Sequence, residues 1–226
     1  ILRGKMAHHQ HKTDWTHKYP KPPSLAELGL EDREQDPKRK SGAALTKPKK
    51  FRFQLLHDWL TETFEPCRVG DIGGAKGLLA HMLIRSGWEA TVIDPYPQTL
   101  PTKYKDLKTG KRILLKDQEN VPNIPQAFQP EMAQDFDLLL GLHAHGCNLH
   151  ILNGAAKYGC HFVLMPCCVI DEPKTPPSGI HWLPWLVDQA KKNAFDTEFF
   201  KLNFKGQNIG FYGQNPNNRY QKPTAK

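Results

Sequence analysis

The sequence predicts an α/β protein built on a doubly wound, mostly parallel sheet. Two observations carry that expectation. From Phe51 onward, short apolar runs alternate with stretches of helical period, the pattern of strands joined by crossover helices. Glycines punctuate the alternation, with Gly73-Gly74 before a helix and Gly87 and Gly159 just past helix ends.

Each element follows in order. Phe53, Leu55, Leu56, Trp59, Leu60 and Phe64 recur at helical spacing and predict a first helix ending near Phe64. Arg68–Ile72 reads as a short strand, followed by a glycine turn and a helix over Gly77–Ser86. Glu89–Ile93 is the expected second strand, ending at Asp94-Pro95. Arg112–Lys116 is read as the third and Phe136–Leu140 as the fourth. Asn148–Lys157 is expected to be helical and His161–Met165 to be the fifth strand. Trp182–Asn193 reads as the last helix, with Asp196–Asn203 and Asn208–Tyr212 as a closing antiparallel pair.

The net charge of +8 is unevenly placed. Residues 1–52 carry 13 Lys/Arg against 6 Asp/Glu, and the last eight add three positives and no acid. Between them, Phe53–Asn218 holds 15 basic and 17 acidic residues, a slightly acidic globule with basic ends. Three regions follow: a basic, largely irregular N-terminal arm over 1–50, a folded domain over 51–218, and a basic tail over 219–226. Within the arm, Ser24–Leu30 can form a short helix, with Ser24 as cap and Glu27 at the box position. The arm is too polar for a core of its own. It reads either as a disordered leader or as a segment that orders on nucleic-acid phosphates.

Several classes fall away. No run of about 18 apolar residues could span a membrane, and no short apolar stretch near the N-terminus reads as a secretory signal. Five cysteines, two of them adjacent at Cys167–Cys168, suit reduced thiols better than a disulfide framework. The expected setting is intracellular and cytoplasmic, without a membrane.

Ligands of such sheets bind at the carboxyl ends of the strands. There, Asp71-Ile72-Gly73-Gly74-Ala75-Lys76-Gly77 is a strand end, a tight turn and a helix start, whose free N–H groups would face a ligand. Seventeen residues after Gly77, Asp94 ends strand two, where a carboxylate can accept both hydroxyls of a ribose. Asp117 or Gln118, after strand three, could bond an adenine amino group.

This set resembles motif I and its partners in the class I S-adenosylmethionine-dependent methyltransferases, with Ala75 where the middle glycine is usual. The seven-strand order with a reversed closing hairpin is similar too, over roughly Phe51 to Tyr212. The resemblance implies a Rossmann-like fold and S-adenosylmethionine as cofactor. It implies a binding set of Asp71, Gly73, Gly74, Ala75, Gly77, Asp94, Asp117, Gln118 and, at the end of strand four, Gly141. A nicotinamide-binding Rossmann protein is the competing reading, since Gly73, Gly74 and Gly77 partly mimic its fingerprint.

The next two strand ends narrow the resemblance. Leu142-His143-Ala144-His145-Gly146 and Pro166-Cys167-Cys168 are similar to the Leu-His-Ala-Cys-Gly and Pro-Cys-Cys motifs of a subset of that family. The subset includes tRNA uridine 2′-O-methyltransferases; His145 stands where cysteine is usual. The Asn-Pro-Pro-Tyr motif of amino-group methylators is absent. Candidate catalytic residues are His143, His145, Cys167 and Cys168.

Three chemistries fit these side chains: a histidine general base toward a hydroxyl, a cysteine nucleophile toward a pyrimidine, or a zinc site that also takes in Cys147. Lacking any Cys-x-x-Cys spacing, the chain is read with no metal. The expected function is methylation of RNA, first of a tRNA ribose 2′-hydroxyl, with the basic arm and tail holding the RNA. The alternative is a non-catalytic subunit of the same fold that binds RNA or a protein partner in an assembly. Trp182 and Trp185 read as core or lid residues before base-stacking ones. Lys103, Lys105, Lys108, Lys111 and Arg112 read as a solvated loop before a phosphate patch.

Overall fold

The computed structural model describes residues 23–30, 46–96, 98–115 and 120–215. After a single 3-10 turn at Lys49–Phe51, helix α1 (Arg52–Thr63) leads into strand β1 (Arg68–Ile72), helix α2 (Leu78–Arg85) and strand β2 (Glu89–Ile93). Strands β3 (Lys103–Lys105) and β4 (Arg112–Leu114) follow, then the short β5 (Asn123–Ile124). Strand β6 (Leu138–Leu142), helix α3 (Asn148–Tyr158), strand β7 (His161–Met165) and helix α4 (Trp182–Lys192) continue the alternation. Strands β8 (Asp196–Lys201) and β9 (Ile209–Gln214) close it.

Among the described residues, seven strands form one sheet in the order β5-β2-β1-β6-β7-β9-β8. The first five are parallel, and β9 runs antiparallel to both β7 and β8. The chain therefore builds outward from β1 to β5, then returns to the other side of β1 with β6. A crevice opens outside the carboxyl ends where the order reverses in this way.

Both faces of the sheet are covered, so its central strands read as apolar runs rather than strict alternation. All five residues of β6 are buried. On one face, Val69, Val92, Leu138 and Leu140 pack against Leu56 and Leu60 of α1 and Leu79 and Leu83 of α2. On the other, Ile72, Leu139, Phe162 and Leu164 pack against Ile151 and Leu152 of α3 and Leu186 of α4. The amino ends of β1 and β6 are pinned by a forked ion pair. Arg68 Nε donates to Asp137 Oδ2 at 3.0 Å and Arg68 Nη2 to Oδ1 at 2.8 Å.

The expected doubly wound architecture is present, with one correction. Residues 112–114 do not form the third parallel strand. They pair antiparallel with β3 in a separate hairpin, with Arg112, Ile113 and Leu114 exposed. The third parallel position belongs to β5, which pairs with β2 through Val92↔Asn123 and Ile93↔Ile124. Gly110, at φ 70°, supplies the turn that folds the Lys/Arg-rich stretch back on itself.

Part of the arm joins the domain. The expected capping box forms: Ser24 N and Oγ donate to Glu27 Oε2 at 2.6 and 2.9 Å, and Glu27 N donates back to Ser24 Oγ at 3.3 Å. The segment makes a turn rather than a regular helix, and Leu28 and Leu30 are buried in the α3/α4 core. Further on, Lys47 bridges to Phe204, with Lys47 N donating to Asn203 O at 3.1 Å and Lys205 N to Lys47 O at 2.8 Å. That strap carries the basic end of the arm over the sheet's carboxyl edge. Among the described residues, no helix is long and apolar enough to cross a membrane.

Candidate active site

The site has two poles along one edge of the sheet. The first is the turn between β1 and α2. Gly73 (φ 66°), Ala75 (φ 49°) and Gly77 (φ 71°) all occupy the left-handed region. Gly73 N donates to Ile93 O at 2.8 Å, which ties the turn to the end of β2. Gly74 lies over the Asp71 carboxyl so closely that a Cβ there would stand 2.5 Å from Oδ2. The turn needs glycine at that point for space.

Asp94 holds the same turn from β2. Its Oδ2 accepts Ala75 N at 3.0 Å and its Oδ1 accepts Tyr96 N at 2.9 Å. Asp71 is fully buried beneath it, and burial pushes its carboxyl up to about 7; the Ala80 amide pulls the other way and the Asp94 charge adds to the rise. Oδ2 of Asp71 has no hydrogen-bond partner among the described residues.

A cleft of about 670 Å³ opens beside this pole, lined by Ala75, Lys76 and Gly77 on one wall and by Leu115, Asn120, Val121 and Asn123 on another. Asp117 and Gln118 lie outside the described residues. Gly141 lies within β6, where a Cβ would meet Leu164 Cδ2 at 2.7 Å and Ile151 Cδ1 at 2.9 Å. Close packing of β7 and α3 accounts for that glycine.

The second pole is built by the ends of β6 and β7. Leu142 pairs with Met165 in register, so the residues after each strand emerge side by side. His143 sits at φ 57°, with its amide donating to Met165 O at 3.0 Å. Its Nε2 donates to Gln207 O at 2.8 Å, which fixes the tautomer and leaves the basic lone pair on Nδ1. Burial lowers its pKa; the Gln207 bond acts the other way, and the charges of Lys49, Arg52 and His145 lower it further. The imidazole is therefore neutral at physiological pH.

His145, Cys167 and Cys168 gather at the same place, their ligand atoms all within 4.8 Å of one another. The two sulfurs are 3.6 Å apart. Burial and the neighbouring Cys168 push the Cys167 thiol up to about 12, so in the metal-free chain it stays protonated. That speaks against Cys167 as a free thiolate nucleophile. Cys147 is likewise raised, to about 11, by burial and by Glu172 and Asp94. Cys160 lies elsewhere, its thiol donating to Ala133 O and Phe136 O in the core.

Residues that sequence reasoning did not single out complete the site. Glu172 accepts Asn148 N at 3.0 Å and Leu149 N at 3.2 Å, capping α3 and stitching the loop after β7 to the loop after β6. Lys49 and Arg52 place positive charge beside His143. Trp182 is buried and stacks on Trp185 at 5.3 Å between ring centroids, a packing role rather than an open platform.

No family model matches the chain. A Caenorhabditis elegans protein described as a probable tRNA (uracil-O(2)-)-methyltransferase is 30% identical over 152 residues, covering 61% of this chain and 26% of the relative. A Caenorhabditis briggsae protein with the same description is 28% identical over 151 residues, with the same coverage. The chain thus spans about a quarter of the length of the curated relatives it matches. Among solved structures, the S-adenosylmethionine-dependent methyltransferase SibL superposes with a TM-score of 0.46 at 18% identity, over 73% of this chain and 54% of that one. In sequence, the chain is similar to tRNA methyltransferases.

Proposed function

We propose that this chain is an S-adenosylmethionine-dependent methyltransferase acting on RNA, with tRNA as the substrate class and a uridine ribose 2′-hydroxyl as acceptor. The observation that carries the reading is the meeting of two poles on one sheet edge. A glycine turn held by Asp94 stands at one, and a neutral histidine of fixed tautomer at the other. The nematode relatives support tRNA as the substrate.

The residues fit the cofactor. Asp94 has accepted two amides, and a carboxylate has about four acceptor sites, so two remain for ribose hydroxyls. The left-handed Gly73–Gly77 turn leads into the start of α2, whose free N–H groups can face a ligand. The cleft's 670 Å³ falls within the ~300–1,000 Å³ of small-molecule sites. S-adenosylmethionine, when bound, supplies an electrophilic methyl group on a sulfonium. His143 takes the acceptor hydroxyl's proton on Nδ1, while its Nε2 stays on Gln207. Much of the remaining rate comes from positioning the hydroxyl in line. Lys49 and Arg52 offer positive charge to a phosphate next to the acceptor nucleotide, continuing the basic arm. As an RNA-modifying enzyme, the protein belongs inside the cell.

The test is transfer of labelled methyl from S-adenosylmethionine into tRNA, followed by nucleoside mass spectrometry. The expected product is 2′-O-methyluridine. Label on the uracil base would keep the enzyme and move the acceptor. Cofactor binding without transfer to any RNA would favour the non-catalytic subunit.

A further inference from the structure

We propose that His145, Cys167 and Cys168 form a binding site for a thiophilic divalent cation, zinc above all, at the carboxyl ends of β6 and β7. One imidazole nitrogen and two sulfurs lie within 4.8 Å of one another. The sulfurs are 3.6 Å apart. A tetrahedral zinc with Zn–S bonds of ~2.3 Å needs about 3.7 Å between them, whereas a disulfide would need about 2.0 Å. The thiols stand at the spacing of shared ligation.

The fold explains how so unpromising a spacing becomes a ligand set. Cys167 lies 22 positions after His145, but β6 and β7 are neighbours in register, Leu142 against Met165. Each chain turns just beyond its strand, and Glu172 stitches the two loops together. The two cysteines are half-buried and His145 is exposed, so the set opens toward solvent on one side. Three protein ligands with an open fourth position are the pattern of a zinc that binds water or a substrate oxygen rather than a closed structural site. On binding, both thiols release their protons to solvent. The cation, two thiolates and a neutral imidazole then carry no net charge, which suits a half-buried position. This site goes beyond the methyl-transfer reading and stands or falls without it.

Cobalt(II) titrated into the reduced 226-residue chain is the test, because His8, His9, His11 and His17 of the arm can bind metal without sulfur. A thiolate-to-cobalt charge-transfer band saturating at one equivalent and displaced by zinc is the expected result. Cys167→Ser and Cys168→Ser should each abolish the band. His145→Gln, at an exposed position where the fold tolerates change, should weaken cobalt affinity at least about tenfold. Zinc should also protect both cysteines from alkylation as read by peptide mass spectrometry. A folded chain that shows no thiolate–cobalt band would overturn the proposal, as would a band that survives both serine variants. So would a Cys167–Cys168 disulfide, two hydrogens lighter, that persists in reductant. Cofactor binding, measured on the same samples, reports separately on the methyltransferase reading.

Discussion

Oδ2 of Asp94 accepts the amide of Ala75 at 3.0 Å, so the acid that ends β2 holds the turn that follows β1. One side chain thus shapes the glycine turn and stands ready for a ribose. The tie also explains how an alanine is tolerated at φ 49°, where the methyltransferase motif it resembles has glycine. Its amide is given a charged acceptor, and hydrogen bonds to charged groups are worth about 1.5–3 kcal/mol.

Ala75→Gly tests that balance. An L-residue in the left-handed region is disfavoured by about 1–2 kcal/mol, and glycine's extra freedom when unfolded offsets about 0.5–1 kcal/mol of any gain. The variant should be more stable by up to about 1.5 kcal/mol in urea denaturation. A clear loss of stability would mean the turn is not strained at this residue.

Asp71 should make stability fall as pH rises. Burial lifts its folded pKa to about 7, above the unfolded carboxylate value near 3.9. Its contribution is fully present below the unfolded value and is lost as pH rises through the folded one. Asp71→Asn keeps the shape without the charge. Denaturation from pH 4 to 8 should show the variant gaining on the parent across that interval. A constant difference would place the carboxyl in a wetter environment than the structure gives it.

His143 should set the acid limb of the transfer reaction. Its folded pKa lies below the ordinary value near 6.5, so the neutral base persists down to mildly acidic pH. Activity should therefore fall only below about pH 6.5. His143→Gln should lose that limb and about 100-fold in turnover, a typical general-base effect, with little change in S-adenosylhomocysteine affinity. An acid limb that survives in the variant would assign it to another group.

The basic arm should matter most where it is strapped to the site. Leu28 and Leu30 are core residues, so removing residues 1–50 would damage the fold as well as the charge. Lys49→Gln with Lys50→Gln is the cleaner test. RNA affinity should drop, and the slope of log K against log salt should shrink by about 1 for each phosphate no longer neutralised. An unchanged slope would move the RNA-binding surface elsewhere, the hairpin of Lys103, Lys105 and Arg112 being the next basic patch.

Much of the fold was legible in the residues, and what was not has physical reasons. Strands β1, β2 and β7 fall on the expected residues because turn chemistry bounds each of them, with apolar runs marking β2 and β7 and the glycine turn marking the end of β1. The glycine turn and Asp94 could be paired because the spacing of a strand–helix–strand unit is nearly fixed. Strand β5 could not be read: two residues, Asn123-Ile124, between Pro122 and Pro125 carry no period. The apolar pair Ile113–Leu114 imitated a buried strand in a hairpin that leaves both exposed. Pairings between distant residues were beyond reach for the same reason. Gln207 on His143 and Glu172 on the α3 N-terminus depend on loops brought together only by the sheet's order. The meeting of His145 with Cys167 and Cys168 was, by contrast, foreseeable from the ends of two neighbouring strands, although no linear metal-binding spacing announces it.

The proposed function rests above all on S-adenosylmethionine binding at the carboxyl edge of this sheet, through the Gly73–Gly77 turn and Asp94. Isothermal titration of the chain with S-adenosylhomocysteine, beside Asp94→Ala, measures it directly. Binding at one site per chain, weakened at least about tenfold (~1.4 kcal/mol) in a variant that still folds, is the predicted result. A well-folded parent chain that binds no S-adenosylhomocysteine, or binds it equally well without the Asp94 carboxylate, would contradict it.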